Sequence, residues 1–285
     1  MLSGLRVVVK GTAECKWSQS SATYTGVQKL VDSVTYLFGS HNGAVIEVPE
    51  GDHVYDFECR LPETVPYSAE GTKGFISYEA EANLDLSEGL PLQAVKPFTV
   101  IRYDDLRQET SVDYRCPCED EKMTTFCCFL CETEPLIMTM RLPRSGFGLG
   151  EKIPVHVQLV NRSTTAVFGS KFTLIQVEQC NASPPSRKSK IYEKVVASKD
   201  DRGARAGQTI TIDQLLEIPQ NMSTSNDRFC EVFQIKYLVR FKAYTVDDTN
   251  ESPEMQIAIT IGDVGVMEAT ATTPLIPTIL NDLRE

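Results

Sequence analysis

Several stretches of the chain alternate apolar and polar residues with a period of two, and that period restricts the regular structure they can form. In residues 75–84, Ile76, Tyr78, Ala80, Ala82 and Leu84 fall on one side, and Ser77, Glu79, Glu81 and Asn83 on the other. In 152–159, Ile153, Val155, Val157 and Leu159 alternate with Pro154, His156 and Gln158. In 234–243, Ile235, Tyr237, Val239, Phe241 and Ala243 oppose Gln234, Lys236, Arg240 and Lys242, and Ile257, Ile259 and Ile261 repeat the pattern at 256–261. A helix would scatter such residues around its circumference, whereas a strand sorts them onto a core face and a wet face. Strands wetted on one face belong to antiparallel sheets. Turn signals separate them: His41-Asn42-Gly43, Glu50-Gly51-Asp52, Ser145-Gly146, Arg202-Gly203 and Asp247-Asp248. The predicted fold class is therefore all-β, built of antiparallel, immunoglobulin-like β-sandwiches.

One segment departs from the pattern. Val27, Leu30, Val31, Val34, Leu37 and Phe38 fall at helical spacing, yet 27–38 is rich in Val and Thr, which favour strands. A short helix and an irregular strand both stay open here.

The chain also repeats itself. Residues 57–84 and 214–243 each carry an apolar approach ending in Leu61-Pro62 or Ile218-Pro219, then a polar turn, then an alternating strand. The echo is weak in identity but ordered in register, which predicts two related β-domains in tandem. We place them at 1–103 and 131–264. Between them, 104–130 reads as an acidic, Cys-rich connector that has room for an edge strand, and 265–285 as the start of a tail, with a docking segment at Leu275–Leu280 left open.

Composition bounds the function. A net charge of −11 disfavours nucleic acid as a general partner, since phosphate binding needs a basic face. Arg187, Lys188 and Lys190 form a local basic stretch, read as a solvated loop. No apolar run is long enough to span a bilayer, and the opening MLSGLRVVVKG lacks the features of an export signal. The nine cysteines are then expected as reduced thiols, and the sequons at Asn161, Asn181, Asn221 and Asn250 as chance matches.

Catalytic chemistry finds little support. His41, His53 and His156 are scattered, none with an obvious Cys, Ser or carboxylate partner, and no Gly-rich phosphate loop follows a strand. We expect no catalytic residue, no cofactor and no metal site. The one chemical alternative is the cluster Cys116, Cys118, Cys127, Cys128 and Cys131, which carries enough thiols for a tetrahedral zinc. Only Cys128-x2-Cys131 has standard zinc spacing. Adjacent accessible thiols also suit acylation or redox sensing. The preferred reading is that Cys127, Cys128 and Cys131 pack as small hydrophobes. Trp17 is expected in a sandwich core.

Residues 126–163 carry a resemblance. Phe126-Cys127-Cys128-Phe129-Leu130-Cys131, a strand at Leu136–Met140, Pro143-Arg144-Ser145-Gly146-Phe147, Gly150-Glu151 and Asn161-Arg162-Ser163 resemble the opening of the second domain of arrestin-domain-containing proteins, the α-arrestins. Upstream, Gly11-x-Ala13-x3-Trp17, Gly51-x-His53, Phe57, Leu61-Pro62, Glu70-Gly71-x2-Gly74, Phe98-Thr99-Val100 and Asp105-Leu106 are similar to its first domain. The resemblance runs collinearly from about residue 4 to 264 and implies two arrestin-type sandwiches. Matching Phe172–Cys180 to Leu5–Trp17 leaves 136–171 without a counterpart in the first domain. The first sandwich is thus expected to lack its opening strands, about three of them at ordinary strand lengths, and to expose apolar surface and unpaired edges.

What the resemblance implies for function is a non-enzymatic cytosolic adaptor. It would act in endocytosis, ubiquitination and trafficking of membrane receptors or transporters. Its partners would be their cytoplasmic segments, with recruitment to the plasma membrane and endosomes. The family's Pro-Pro-x-Tyr tail motif, which recruits WW-domain ubiquitin ligases, does not occur in this sequence; residues 184–187 read PPSR. The alternative function is a metal- or redox-responsive regulator centred on 116–131, and a second rival is an extracellular adhesion sandwich.

Overall fold

A computed structural model describes residues 2–40, 44–86, 89–108, 114–126, 134–245 and 252–266. His41, Cys127, Cys128, Cys131, Asn250 and the tail from 267 onward lie outside the described residues. The described chain is all-β. The first half carries β1 (Leu2–Gln19), β2 (Ala22–Gly39), β3 (Ala69–Glu70), β4 (Gly74–Leu86) and β5 (Leu92–Phe98). The second carries β6 (Cys118–Thr124), β7 (Leu136–Leu142), β8 (Gly146–Gly148), β9 (Lys152–Asn161), β10 (Val167–Asn181), β11 (Ser189–Arg202), β12 (Thr209–Glu217), β13 (Phe233–Thr245) and β14 (Glu254–Gly262). Pairing between strands is antiparallel except for the short β8–β14 contact, and an isolated bridge between Asp105 and Val264 is also parallel.

The repeat is visible in the topology. In the first half β1 lies between β2 and β4, with β5 paired to β4; in the second, β10 lies between β11 and β13, with β14 paired to β13. The two Pro-led segments of the sequence echo lead into β4 and β13, which occupy the same place in the two sheets. The second half adds an opposing four-stranded sheet in the order β12-β9-β7-β6. Leu136, Met138 and Met140 of β7 and Ile153, Val155, Val157 and Leu159 of β9 are fully buried in one core with Phe172, Leu174, Val239 and Phe241 of the other sheet. Residues 118–124, expected within the connector, form the edge strand for which that reading left room.

The described residues of the first half make one five-stranded sheet. Its inner face, from Val7, Val9, Ala13, Trp17, Ile76 and Tyr78, is covered by an extended segment carrying Cys59, Leu61 and Val65 and by Phe98. This cover is thin. Val54, Leu90 and Ile101 are more than four-fifths exposed, and Phe57, Leu92 and Val95 about half.

Residues 27–38 form a strand, within β2, and the helical spacing has a physical origin. Leu5 faces Phe38 but Arg6 faces Tyr36; Gly11 faces Val31 but Thr12 faces Lys29. Leu37 and Leu30 are thus extra residues, one per bulge, seven positions apart. Each bulge flips the alternation, so a period-two strand acquires an apparent period near that of a helix.

Strand β4 departs from its sequence pattern as well. Ile76 and Tyr78 are buried as expected, but farther along Glu81 and Asn83, assigned to the wet face, are more buried than Ala80 and Ala82. Lys10 of the neighbouring β1 pairs with Glu81, and Arg6 with Asp85, so this outer face is lined by a lattice of charges rather than bulk water.

Candidate functional site at the interdomain seam

The two halves meet where the inner face of β10 changes character. Phe172 and Leu174 lie in the second-half core, and the next residues on the same side are Gln176, Glu178 and Cys180, all buried. Glu178 reaches the first half. Its Oε2 accepts the Thr72 amide at 2.6 Å, and its Oε1 accepts Gln176 Nε2 at 3.3 Å. Thr72 sits in the β3–β4 turn, closed by Gly71 N–H to Gly74 O at 2.9 Å. This turn is the Glu70-Gly71-x2-Gly74 motif, and the seam explains its glycines. A Cβ on Gly74 would lie 2.4 Å from the Phe233 ring, and one on Gly71 2.5 Å from it. Phe233 is fully buried, so neither glycine has room for a side chain.

Tyrosines and acids extend the seam. Tyr67 donates to Thr224 O at 2.5 Å, and Tyr237 donates to Ser223 O at 2.6 Å and Gln176 at 3.4 Å. Burial pushes both phenols well above their usual range. Tyr78 donates to Pro66 O at 2.5 Å, and burial pushes it up to about 12. The Asp104 amide donates to Asp263 Oδ2 at 2.7 Å, and the Asp263 amide to Asp104 O at 2.9 Å. Arg102 pairs with Asp104 at 2.8 Å and lies over the Phe229 ring at 4.4 Å. Asp105 bridges to Val264 and Leu106 is buried against Gly262. The Asp105-Leu106 motif is thus a clasp between the halves.

Three thiols converge on the same seam. Cys15 of β1, Cys180 at the end of β10 and Cys230 before β13 are all buried, and all are free. Cys15 Sγ lies 3.6 Å from Asn181 O and 3.5 Å from Val232 O. Interaction with the Cys180 thiol holds Cys15 below the usual thiol range, and Cys15 together with burial pushes Cys180 above it. Sequence reasoning singled out the crowded cysteines and passed over these scattered ones; their only sequence signal is that Cys180 ends the segment Phe172–Cys180 and Cys15 lies two residues before the end of its matched segment Leu5–Trp17.

The crowded cysteines are placed differently. Cys116 is exposed, and Cys118, half-buried on β6, points at Leu142 O. Among the described residues no group of three or more His, Cys, Asp or Glu side chains is arranged to hold a metal. His53 lies at the surface, 2.8 Å from Pro49 O. His156 corrects the reading that no histidine has a carboxylate partner. The β9–β12 register sets it opposite Asp213, with Nδ1 to Oδ1 at 2.6 Å. Both side chains are well exposed, so the pair is a surface hydrogen bond of small energetic weight.

The remaining motifs close local networks. Arg144 of the Pro-Arg-x-Gly turn is buried, donates to Gly146 O at 3.0 Å and Glu151 at 2.9 Å, and lies over Phe147. Glu151 also accepts the Gly148 amide. Asn161 is buried, its amide donating to Thr165 O and Ala204 O and its carbonyl accepting from Ser163. Trp17 is buried in the first-half core and stacks on Tyr24 at 5.5 Å.

Residues 3–107 match the model of the arrestin (or S-antigen) N-terminal domain, and residues 132–266 that of the arrestin (or S-antigen) C-terminal domain. The chain belongs to the arrestin-domain family. It is similar to arrestin domain-containing protein 17 of Caenorhabditis elegans, 25% identical over 68% of this chain and 46% of that protein. To arrestin domain-containing protein 4 of Mus musculus it is 25% identical over 83% of this chain and 58% of that one. To human thioredoxin-interacting protein it is 25% identical over 56% of the chain and 39% of that protein. The chain spans about half the length of the curated relatives it matches. In this arrestin-domain chain, several of the motifs that carried the resemblance are architectural: Glu70-Gly71-x2-Gly74 and Asp105-Leu106 seat one half on the other, and Arg144 to Glu151 and Asn161 to Ser163 close turns within the second. No helix among the described residues is long and apolar enough to cross a membrane.

Proposed function

We propose that this chain is a non-enzymatic adaptor that binds cytoplasmic segments of membrane receptors or transporters and couples them to endocytosis, ubiquitination and sorting. In this reading it works in the cytoplasm and is recruited to the plasma membrane and endosomes. Family membership supports the adaptor class. The observation that carries the binding mode is the edge of the first sheet. Among the described residues β2, an 18-residue strand, is paired with another strand on one side only, by β1; Ser183 bonds its free edge at Thr25 and Val27, and farther along it presents Val34 and Tyr36 part-exposed. A long edge of this kind offers backbone donors and acceptors to an extended peptide, with alternate side chains giving selectivity.

The test is capture of immobilised cytoplasmic segments by the purified chain, compared with a Val34→Lys/Tyr36→Lys variant. Lysines on the edge discourage strand addition without entering the core. Loss of capture with an unchanged melting temperature supports the reading; equal capture by both proteins refutes the edge as the binding surface. In this reading the 285 residues given, which hold no Pro-Pro-x-Tyr motif, do not by themselves recruit a WW-domain ligase. Strong binding of a WW-domain ligase to this chain alone overturns the view that the motif is required.

A further inference from the structure

The free edge of β2 is not bare along its whole length. Where β10 runs out into the loop before β11, the second half lays residues 181–183 against the first part of that edge. Asn181 O packs so closely on Gly26 that a Cβ there would lie 2.1 Å from it. The Ser183 amide donates to Thr25 O at 3.1 Å. The Ser183 hydroxyl completes the contact: its Oγ accepts the Val27 amide at 2.9 Å and donates to Val27 O at 3.2 Å. One side chain thus satisfies both backbone groups of Val27 that a docked strand would otherwise take. The loop behind it is closed by the Ala182 amide donating to Lys188 O at 2.7 Å, and its residues 184–189 are exposed.

We infer that Ser183 is a phosphorylation site, and that its modification lifts this loop from β2 and lengthens the edge open to a peptide. The inference rests on the edge reading above for its consequence, not for its chemistry. Pro184 follows Ser183. A kinase groove that offers no acceptor just after its serine favours a residue with no N–H to strand there. Ser183 itself is half-buried, and the exposed loop that carries it is the part free to swing out. The co-substrate is ATP. The Ser183 oxygen attacks the γ-phosphorus, the bond from that phosphorus to the bridging oxygen breaks, ADP leaves, and the hydroxyl proton passes to the kinase's catalytic carboxylate. The phosphoserine has no O–H to donate to Val27 O, and its oxygens, carrying about −1.5 to −2 charge at neutral pH, face that carbonyl. Arg187 and Lys188 of the same loop are the cations that pair with the new phosphate. Lys188 otherwise lies over the ring of Tyr24 in β2, at 5.1 Å, so pairing with phosphate draws a second contact off the strand.

The test treats the full chain with a recombinant proline-directed serine kinase and ATP. Peptide mass spectrometry maps the phosphate, and hydrogen exchange follows residues 22–30. Phosphate is expected on Ser183, with exchange in 22–30 several-fold faster and exchange in β9 unchanged. Ser183→Ala should gain no phosphate at that position, and its exchange should not respond to the kinase. No phosphate on Ser183, or phosphate confined to Ser186 or Ser189, would overturn the site. Phosphate on Ser183 with unaltered exchange in 22–30 would overturn the release. These measurements involve no peptide partner, so they stand or fall apart from the adaptor proposal. Capture of immobilised cytoplasmic segments should then rise several-fold on phosphorylation. Faster exchange with unaltered capture would refute the edge as the peptide's site and leave the modification in place.

Discussion

At the scale of single residues, the seam is intolerant of small changes that the sequence makes look harmless. Gly74→Ala adds one methyl to a turn at the surface of the sequence pattern, yet that methyl meets the Phe233 ring at 2.4 Å. The ring is fully buried and has nowhere to move, so Gly74→Ala should destabilise by about 1–3 kcal/mol, as overpacking does. Urea unfolding measures it, and Phe233→Leu in the same chain should return part of the loss. Glu178→Ala should cost about 1–3 kcal/mol, because it removes the acceptor of both the Thr72 amide and the buried Gln176 side chain, while Glu178→Gln keeps an acceptor and should cost less. The charge lattice of β1 and β4 gives a pH dependence. The Lys10 hydrogen bond holds the Glu81 carboxyl below its usual range. Its contribution is complete above the unfolded value of about 4.3 and is lost as pH falls through the lower folded value. Unfolding midpoints should drop on acidification, and Glu81→Gln should flatten that acid limb; an unaltered limb in the variant would contradict the assignment.

Elements carry the next lesson, and β2 states it most clearly. Its six apolar residues at helical spacing were readable as a helix because two bulges, at Leu30 and Leu37, reset the phase of a strand. Sequence alone does not distinguish a bulged strand from a helix, since the bulge exists only relative to a partner strand. The consequence is testable. Deleting Leu30 removes a bulge and leaves Lys29 opposite Thr12 and Val31 opposite Gly11, whereas deleting Ser33 slips residues 22–32 and moves Val31 from the core face to the outside. The Leu30 deletion should therefore retain a cooperative unfolding transition and the Ser33 deletion should not. By contrast, β9 and β13 keep strict alternation from end to end. Neither carries a bulge in its core ladders, and each buries the face its sequence marks.

For the whole molecule the two halves differ in how they are closed. The second buries β7 and β9 against β10 and β13 between two sheets. The first rests a single described sheet on an extended segment and on the second half. Its Cys15 and Gly26 touch Asn181 and Val232, and Ser183 exchanges hydrogen bonds with Val27. Amides of β4–β5 and of residues 54–65 should thus exchange with solvent faster than those of β9, β10 and β13 in hydrogen-exchange mass spectrometry. A fragment of residues 115–266 should unfold cooperatively, while 1–107 alone should aggregate or remain unfolded. A stable, monomeric 1–107 would show that its sheet does not depend on the seam.

The sequence by itself determined the fold class, the tandem repeat and the family, because alternation, turn residues and ordered motifs are local and survive being read one residue at a time. It also placed Trp17 in the core, since an apolar ring in an alternating strand has few other homes. Tertiary structure alone decided which contacts those residues make. It buried Glu81 and Asn83, because burial depends on neighbours such as Lys10 that lie on another strand. It set His156 against Asp213, because register brings together residues far apart in the chain. And it gathered Cys15, Cys180 and Cys230, the scattered cysteines, into one buried seam. Crowding in sequence drew attention to residues 116–131, whereas proximity in space is fixed by how two sheets, each specified locally, come to rest against one another.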